Sequence, residues 1–137
     1  MGRILAIDYG QKRTGLAVTD ALRITANPLL TMETNQLQAW LTTELTKGEI
    51  DTVVIGLPTQ LNGQPSDSMR YITPFMGWFR NRFPAIPLVP YDERFTSTLA
   101  HQAMITGGMK RKARQDKSVV DKIAACIILE DYLNAKR

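Results

Sequence analysis

Ile4-Leu5-Ala6-Ile7-Asp8-Tyr9-Gly10 decides the architecture. Four apolar residues in a row read as a strand buried on both faces, which belongs in the interior of a sheet. A carboxylate ends the run, next to a glycine. An ionised Asp so close to a core is costly unless a cation or hydrogen-bond donors meet it. Gly10 opens a tight connection, Gln11-Lys12-Arg13, and a second apolar stretch follows over Thr14–Thr19. Asp8 therefore stands at the mouth of a central strand, beside a turn carrying two cations. A turn Asp can also cap its own backbone, so this stretch alone leaves the role of Asp8 open.

Working outward, strands at Arg3–Tyr9 and Thr14–Thr19 are too close in sequence to be anything but an antiparallel hairpin. A third strand is expected over Ile24–Thr31, with Pro28 placing it at an edge. A helix over Gln36–Lys47 gathers Leu37, Trp40, Leu41 and Leu45 on one face, and Gly48 closes it. Asp51–Leu57 is a second strand apolar on both faces. The helix between demands a right-handed crossover and parallel pairing, most simply against the first strand. After a turn-rich loop, a helix over Asp67–Phe83 carries Met69, Ile72, Met76, Phe79 and Phe83 at helical spacing. Pro74 within it implies either a kink or a restart capped by Thr73. Pro87–Glu93 is a fifth, edge strand. Thr96 or Ser97 caps a third helix ending at Gly107-Gly108, and Ser118 caps a last one over Val119–Ala135. The expectation is one α/β domain over residues 1–137: a mixed sheet of order 3-2-1-4-5, strand two antiparallel to the rest, helices on both faces.

The 137 residues are 44% hydrophobic and 22% charged, an ordinary globular balance. One cysteine, Cys126, excludes an internal disulfide and a cysteine metal cluster. No apolar run has membrane-span length, and Ile4–Ile7 is too short for a secretory leader, so a cytoplasmic protein without a membrane partner is expected. The net charge of +4 is local. Lys110, Arg111, Lys112, Arg114 and Lys117, against Asp116 alone, account for all of it, and the other basic and acidic residues balance. A basic segment of this kind attracts polyanions through their phosphates.

In the expected sheet, the C-terminal ends of strands one and four lie side by side where the connections diverge, the crevice in which open α/β sheets bind ligands. Asp8, Gly56 and the Asp92-Glu93 pair end there. Adjacent residues of a strand point to opposite sides, so only one of Asp92 and Glu93 can face Asp8, and the pattern does not say which. Asp121 has two readings. Ser118-Val119-Val120-Asp121 fits a capping box, in which the acid turns back to the backbone. Ala124 and Ala125 instead give that helix face a small surface, which would let it close on the sheet and carry Asp121 to the same edge. Converging carboxylates without a His or Cys cluster suit a hard cation, Mg²⁺ or Mn²⁺. Two such ions roughly 4 Å apart serve phosphodiester hydrolysis. Lys12, Arg13, Arg94 and the basic segment would neutralise the polyanion, and Gly56 would admit a backbone closely. His101, Cys126, Trp40 and Trp78 read as incidental or packing residues.

At these residues the chain resembles the YqgF/RuvX family of pre-16S rRNA nucleases, with an RNase H-like, Holliday-junction-resolvase-like fold. The resemblance is carried by Asp8-Tyr9-Gly10 with Lys12, Arg13 and Gly15; by Ile55-Gly56-Leu57-Pro58 with Asn62-Gly63; by Asp92-Glu93-Arg94-Phe95-Thr96-Ser97; and by Lys117-Ser118-Val119-Val120-Asp121 with Ala124, Ala125, Ile128 and Leu129. Phe95 stands where Leu is common in the family, and Leu61-Asn62-Gly63 where Met-Asp-Gly is usual. The resemblance implies that Asp8, Glu93 and Asp121 are a catalytic, metal-binding triad. It also implies maturation of the 5′ end of small-subunit rRNA within a pre-ribosomal particle, with Asn62 in a substrate-contacting loop. Two other readings stand beside it. A resolvase of branched DNA would use the same chemistry but needs a dimer for paired cuts. A non-catalytic RNA-binding factor in ribosome assembly or transcription would need only the basic segment. A monomer or weak homodimer fits these readings.

Overall fold

A computed structural model describes residues 2–57, 68–92 and 117–136, with side chains in the last stretch from 121 to 135. The strands are β1 (Arg3–Tyr9), β2 (Arg13–Thr19), β3 (Ala26–Glu33), β4 (Ile50–Leu57) and β5 (Leu88–Asp92). The helices are α1 (Leu37–Leu45), α2 (Met69–Arg82) and α3 (Lys117–Lys136), with a 3-10 turn at Thr34–Gln36 before α1. They build one sheet of order β3-β2-β1-β4-β5. The β1–β2 and β2–β3 pairs are antiparallel, and β1–β4 and β4–β5 are parallel, as the sequence pattern requires.

Alternation along the central strands splits the core in two. Leu5, Ile7, Leu16, Val53 and Ile55 pack under α1 and α2, with Leu37, Leu41, Leu45, Ile72, Phe75, Met76 and Phe79. Ile4, Ala6, Ala17 and Val54 face the other way, onto Ala125, Ile128, Leu129 and Leu133 of α3. The face under α3 is lined by small residues, so one long helix covers it closely.

Four local expectations change. β3 begins at Ala26, two residues later than expected. The Asp20 carboxylate accepts from the N–H groups of Ile24 and Thr25, at 2.7 and 3.0 Å, and holds those residues in a turn. Arg23 in that turn has φ 59°, a left-handed conformation. α1 is shorter than expected and stops at Leu45, where Gly48 reaches φ 79° and its N–H donates to the Leu45 carbonyl. α2 runs through Pro74 as one element, so the restart at Thr73 does not occur. Pro74 is exposed, on the side of the helix away from the core. α3 is already helical at Lys117, which puts Ser118 inside the helix and not at its cap. The helix expected after Thr96 lies outside the described residues, as does His101.

Trp78 packs as expected, its ring 5.9 Å from both Phe75 and Phe83. Cys126 is half-buried and its thiol donates to the Ala26 carbonyl at 3.4 Å. Burial, and secondarily Glu130, pushes that thiol up to about 11. Among the described residues no helix is long and apolar enough to cross a membrane.

The edge of the sheet opposite the site is closed by a side chain. β1 and β2 pair from Leu5↔Val18 onward, and beyond that pair the Ile4 N–H donates to the buried Thr19 hydroxyl at 2.9 Å. Replacing Thr19 by Val keeps the shape and removes the acceptor. This substitution is expected to cost about 1–3 kcal/mol in urea denaturation; an unchanged midpoint would show that the amide finds another partner.

Candidate active site

Asp8 lies one residue before the end of β1, and it shares the alternation of Ile4 and Ala6. Its side chain therefore projects toward α3. Directly opposite on β2 is Gly15. A Cβ placed on Gly15 would lie 2.1 Å from the backbone carbonyl oxygen of Asp121. The glycine is there because the helix backbone occupies the space a side chain would need. The backbone of Asp121 thus lies over Gly15, the β2 residue paired with Asp8.

The Asp121 carboxylate does not turn back into a capping box. Its Oδ2 accepts from Arg13 Nε at 3.1 Å, an ion pair in which the arginine side chain is 40% and the aspartate 25% exposed. Arg13 shares the alternation of Ala17, so it lies on the α3 face of β2. Sequence reasoning placed Arg13 at the polyanion; in this structure it meets Asp121. Lys12 is exposed on the turn. Gln11, Lys12 and Arg13 line an open groove of about 570 Å³ together with Glu33 and Asn35.

The turn itself is held by a residue the sequence reading missed. The Thr34 N–H donates to the Lys12 carbonyl at 2.9 Å, and the Thr34 hydroxyl donates to the Gly10 carbonyl at 2.6 Å. That donation uses the only proton of the Thr34 hydroxyl. The fully buried Thr14 hydroxyl, 2.8 Å away, is therefore the donor in the pair it forms with Thr34. A Cβ on Gly10 would collide with the Arg13 carbonyl oxygen at 2.2 Å, so the turn is as tight as its glycine permits. Nothing in the local pattern around Thr34 announces this contact, which reaches 24 residues back to Gly10.

At the parallel edge, Gly56 is buried on β4 and shares the alternation of Val54, which points to α3. On β5, Val89 and Tyr91 pack on the α3 side, and Leu88 on the other. Asp92 has the alternation of Leu88, so it faces away from Asp8. Tyr91 donates its hydroxyl proton to Asp131 at 3.2 Å, tying β5 to α3. Burial, and then Asp131, push the Tyr91 phenol up. Glu93, Arg94, Asn62, Lys110, Arg111, Lys112 and Arg114 lie outside the described residues, as does the side chain of Lys117.

Among the described residues the acids Asp8 and Asp121 have no imidazole or thiolate grouped with them, a donor chemistry that suits a hard divalent cation. Among the described residues no group of three or more His, Cys, Asp or Glu side chains is assembled, and Glu93 is outside that set.

A 3-2-1-4-5 sheet with β2 antiparallel and helices on both faces is an RNase H-like fold of the Holliday-junction-resolvase kind. RuvC of Thermus thermophilus, solved with a Holliday junction substrate, superposes with TM-score 0.61 at 13% identity over 99% of this chain and 97% of its own. A family model described as "RuvX: Holliday junction resolvase" matches residues 2–135. The chain belongs to the RuvX family, a family of nucleases. Relatives from Phocaeicola vulgatus and Flavobacterium johnsoniae are 52% and 48% identical, each over 100% of this chain and 99% of their own. One from Parabacteroides distasonis is 47% identical over 100% of this chain and 98% of its own. All three carry the name "Putative pre-16S rRNA nuclease".

Gly15→Ala forces the Asp121 segment of α3 off the sheet. The expected result is a loss of about 1–3 kcal/mol in stability, the usual cost of overpacking, together with a weakened Arg13–Asp121 contact. Denaturant titration, with the Arg13 Nε–H signal followed by NMR, checks both; an unaltered signal and midpoint would contradict the close approach.

Proposed function

We propose that this chain is a metal-dependent endonuclease that hydrolyses phosphodiester bonds at the 5′ end of the small-subunit rRNA precursor, in the cytoplasm. The observation that carries the reading is the approach of the Asp121 backbone to Gly15, the residue paired with Asp8 near the C-terminal end of β1. The family resemblance supplies Glu93 as the third acid of the set. Asp8, Glu93 and Asp121 would hold Mg²⁺ or Mn²⁺. When bound, such ions activate a water for attack and stabilise the leaving oxygen.

The rest of the chemistry belongs to the chain's own groups. Asp8 and Asp121 set the position of the reacting phosphodiester from two rigid elements, a central strand and a packed helix. Lys12 and Arg13 offset the phosphate charge from the β1–β2 turn, and Thr34 keeps that turn in place. The buried Gly56 leaves room for a nucleic-acid backbone at the strand edge. Lys110, Arg111, Lys112, Arg114, Lys117 and Arg94 supply further cations for the flanking strand, with Asn62 contributing a contact from its loop. The names of the curated relatives support RNA as the substrate.

The family description supports a second reading, resolution of branched DNA. It uses the same carboxylates but requires two copies arranged with two-fold symmetry.

The test is cleavage of a precursor small-subunit rRNA 5′-leader with Mg²⁺ or Mn²⁺, beside a four-way DNA junction, for the wild type and Asp8→Asn. Metal-dependent RNA cutting that disappears in Asp8→Asn, with the melting temperature retained, is the expected result. Cutting of the junction alone would transfer the assignment to branched DNA. RNA binding without cutting of either substrate would make the chain a binding factor.

A further inference from the structure

Arg13 is the feature that the proposed chemistry does not yet explain. A nuclease needs Asp121 to face a divalent cation, yet here Asp121 Oδ2 is taken by Arg13 Nε at 3.1 Å. Both side chains remain partly in water, at 40% and 25% exposure, so the pair has neither the burial nor the second hydrogen-bonding arm of a permanent structural bridge. Arg13 is also a wall of the open groove shared with Gln11, Lys12, Glu33 and Asn35. Its guanidinium therefore has two neighbourhoods within reach of one flexible stem: the carboxylate of Asp121 and the groove beside Lys12. Its backbone stays fixed in either case, because Arg13 is paired with Glu33 across the β2–β3 ladder and the adjoining turn is clasped by Thr34.

We infer that Arg13 is an exchangeable counter-ion for Asp121. In the metal-free chain it neutralises Asp121 beside Asp8. When the divalent cation takes Asp121, the guanidinium is released into the groove, where it binds nucleic-acid phosphate next to Lys12. Metal occupancy and backbone binding are then coupled through one side chain, which must leave the first partner to meet the second. This deepens the proposed function and rests on its metal-binding reading of Asp8 and Asp121.

The inference predicts a sign that a purely structural bridge would not give. Removing Arg13 removes a competitor, so Arg13→Gln should bind Mn²⁺ more tightly than the wild type, by about two- to fivefold for a partly exposed pair. The same variant should lose the gain in RNA affinity that Mg²⁺ gives the wild type. The direct readout is the Arg13 Nε–H correlation in the NMR spectrum of the intact wild-type chain. It should shift and exchange faster with solvent on addition of Mg²⁺, and it should not respond in Asp8→Asn. If Mg²⁺ binds in an Asp8-dependent manner but the Nε–H signal stays in place, the exchange is overturned and the metal site stands. The same holds if Arg13→Gln binds Mn²⁺ no better than the wild type. If neither ion binds the wild type, or if Asp8→Asn leaves binding unchanged, the metal-site reading itself fails and the exchange falls with it.

Discussion

A helix backbone can approach a sheet only where no side chain stands between them, and everything at this site depends on one such place. Gly15 lies opposite Asp8 on the hairpin, and the carbonyl of Asp121 occupies the space its side chain would fill. The small face formed by Ala6, Ala17 and Ala125 continues the approach along the helix. Close packing here does more than fill volume. It sets the Asp121 backbone against the β2 residue paired with Asp8, and it fixes both residues on elements that cannot drift apart without opening the core.

The cost of gathering carboxylates is met locally. An acid at the end of a doubly buried strand needs charge or donors near it. β2 supplies Arg13 on the α3 face, two residues from Gly15, where it reaches Asp121. The turn that presents Arg13 and Lys12 is rigid for reasons outside the hairpin. Thr34, arriving from the end of β3, binds Gly10 and Lys12 through their carbonyls and accepts from Thr14. The edge strand thus serves the hairpin: the residue that follows it, Thr34, positions the loop from which the cations act.

Much of this was legible in the chain. Two doubly apolar runs, Ile4–Ile7 and Val53–Ile55, could only be central strands. A short hairpin on one side and a crossover helix on the other then dictated their order and direction. The errors were local and had local causes. Asp20 holds Ile24 and Thr25 in a turn, so β3 starts late. Pro74 lies on the solvent side of α2, where a missing N–H is tolerated, so that helix does not restart. The capping-box pattern at Ser118–Asp121 was real as a pattern, but α3 is already helical at Lys117 and Asp121 found a stronger partner in Arg13.

The sequence by itself determined the sheet, its order, and the end of the central strand at which Asp8 lies, because hydrophobic periodicity and connection length act over short spans and leave few topologies. Tertiary structure alone decided which face each acid took and what it met there. Asp92 turns from Asp8 because β5 keeps step with β4, Arg13 pairs with Asp121, and Thr34 clasps a turn more than twenty residues before it. Those outcomes depend on register and on side chains brought together by packing, which no local pattern encodes.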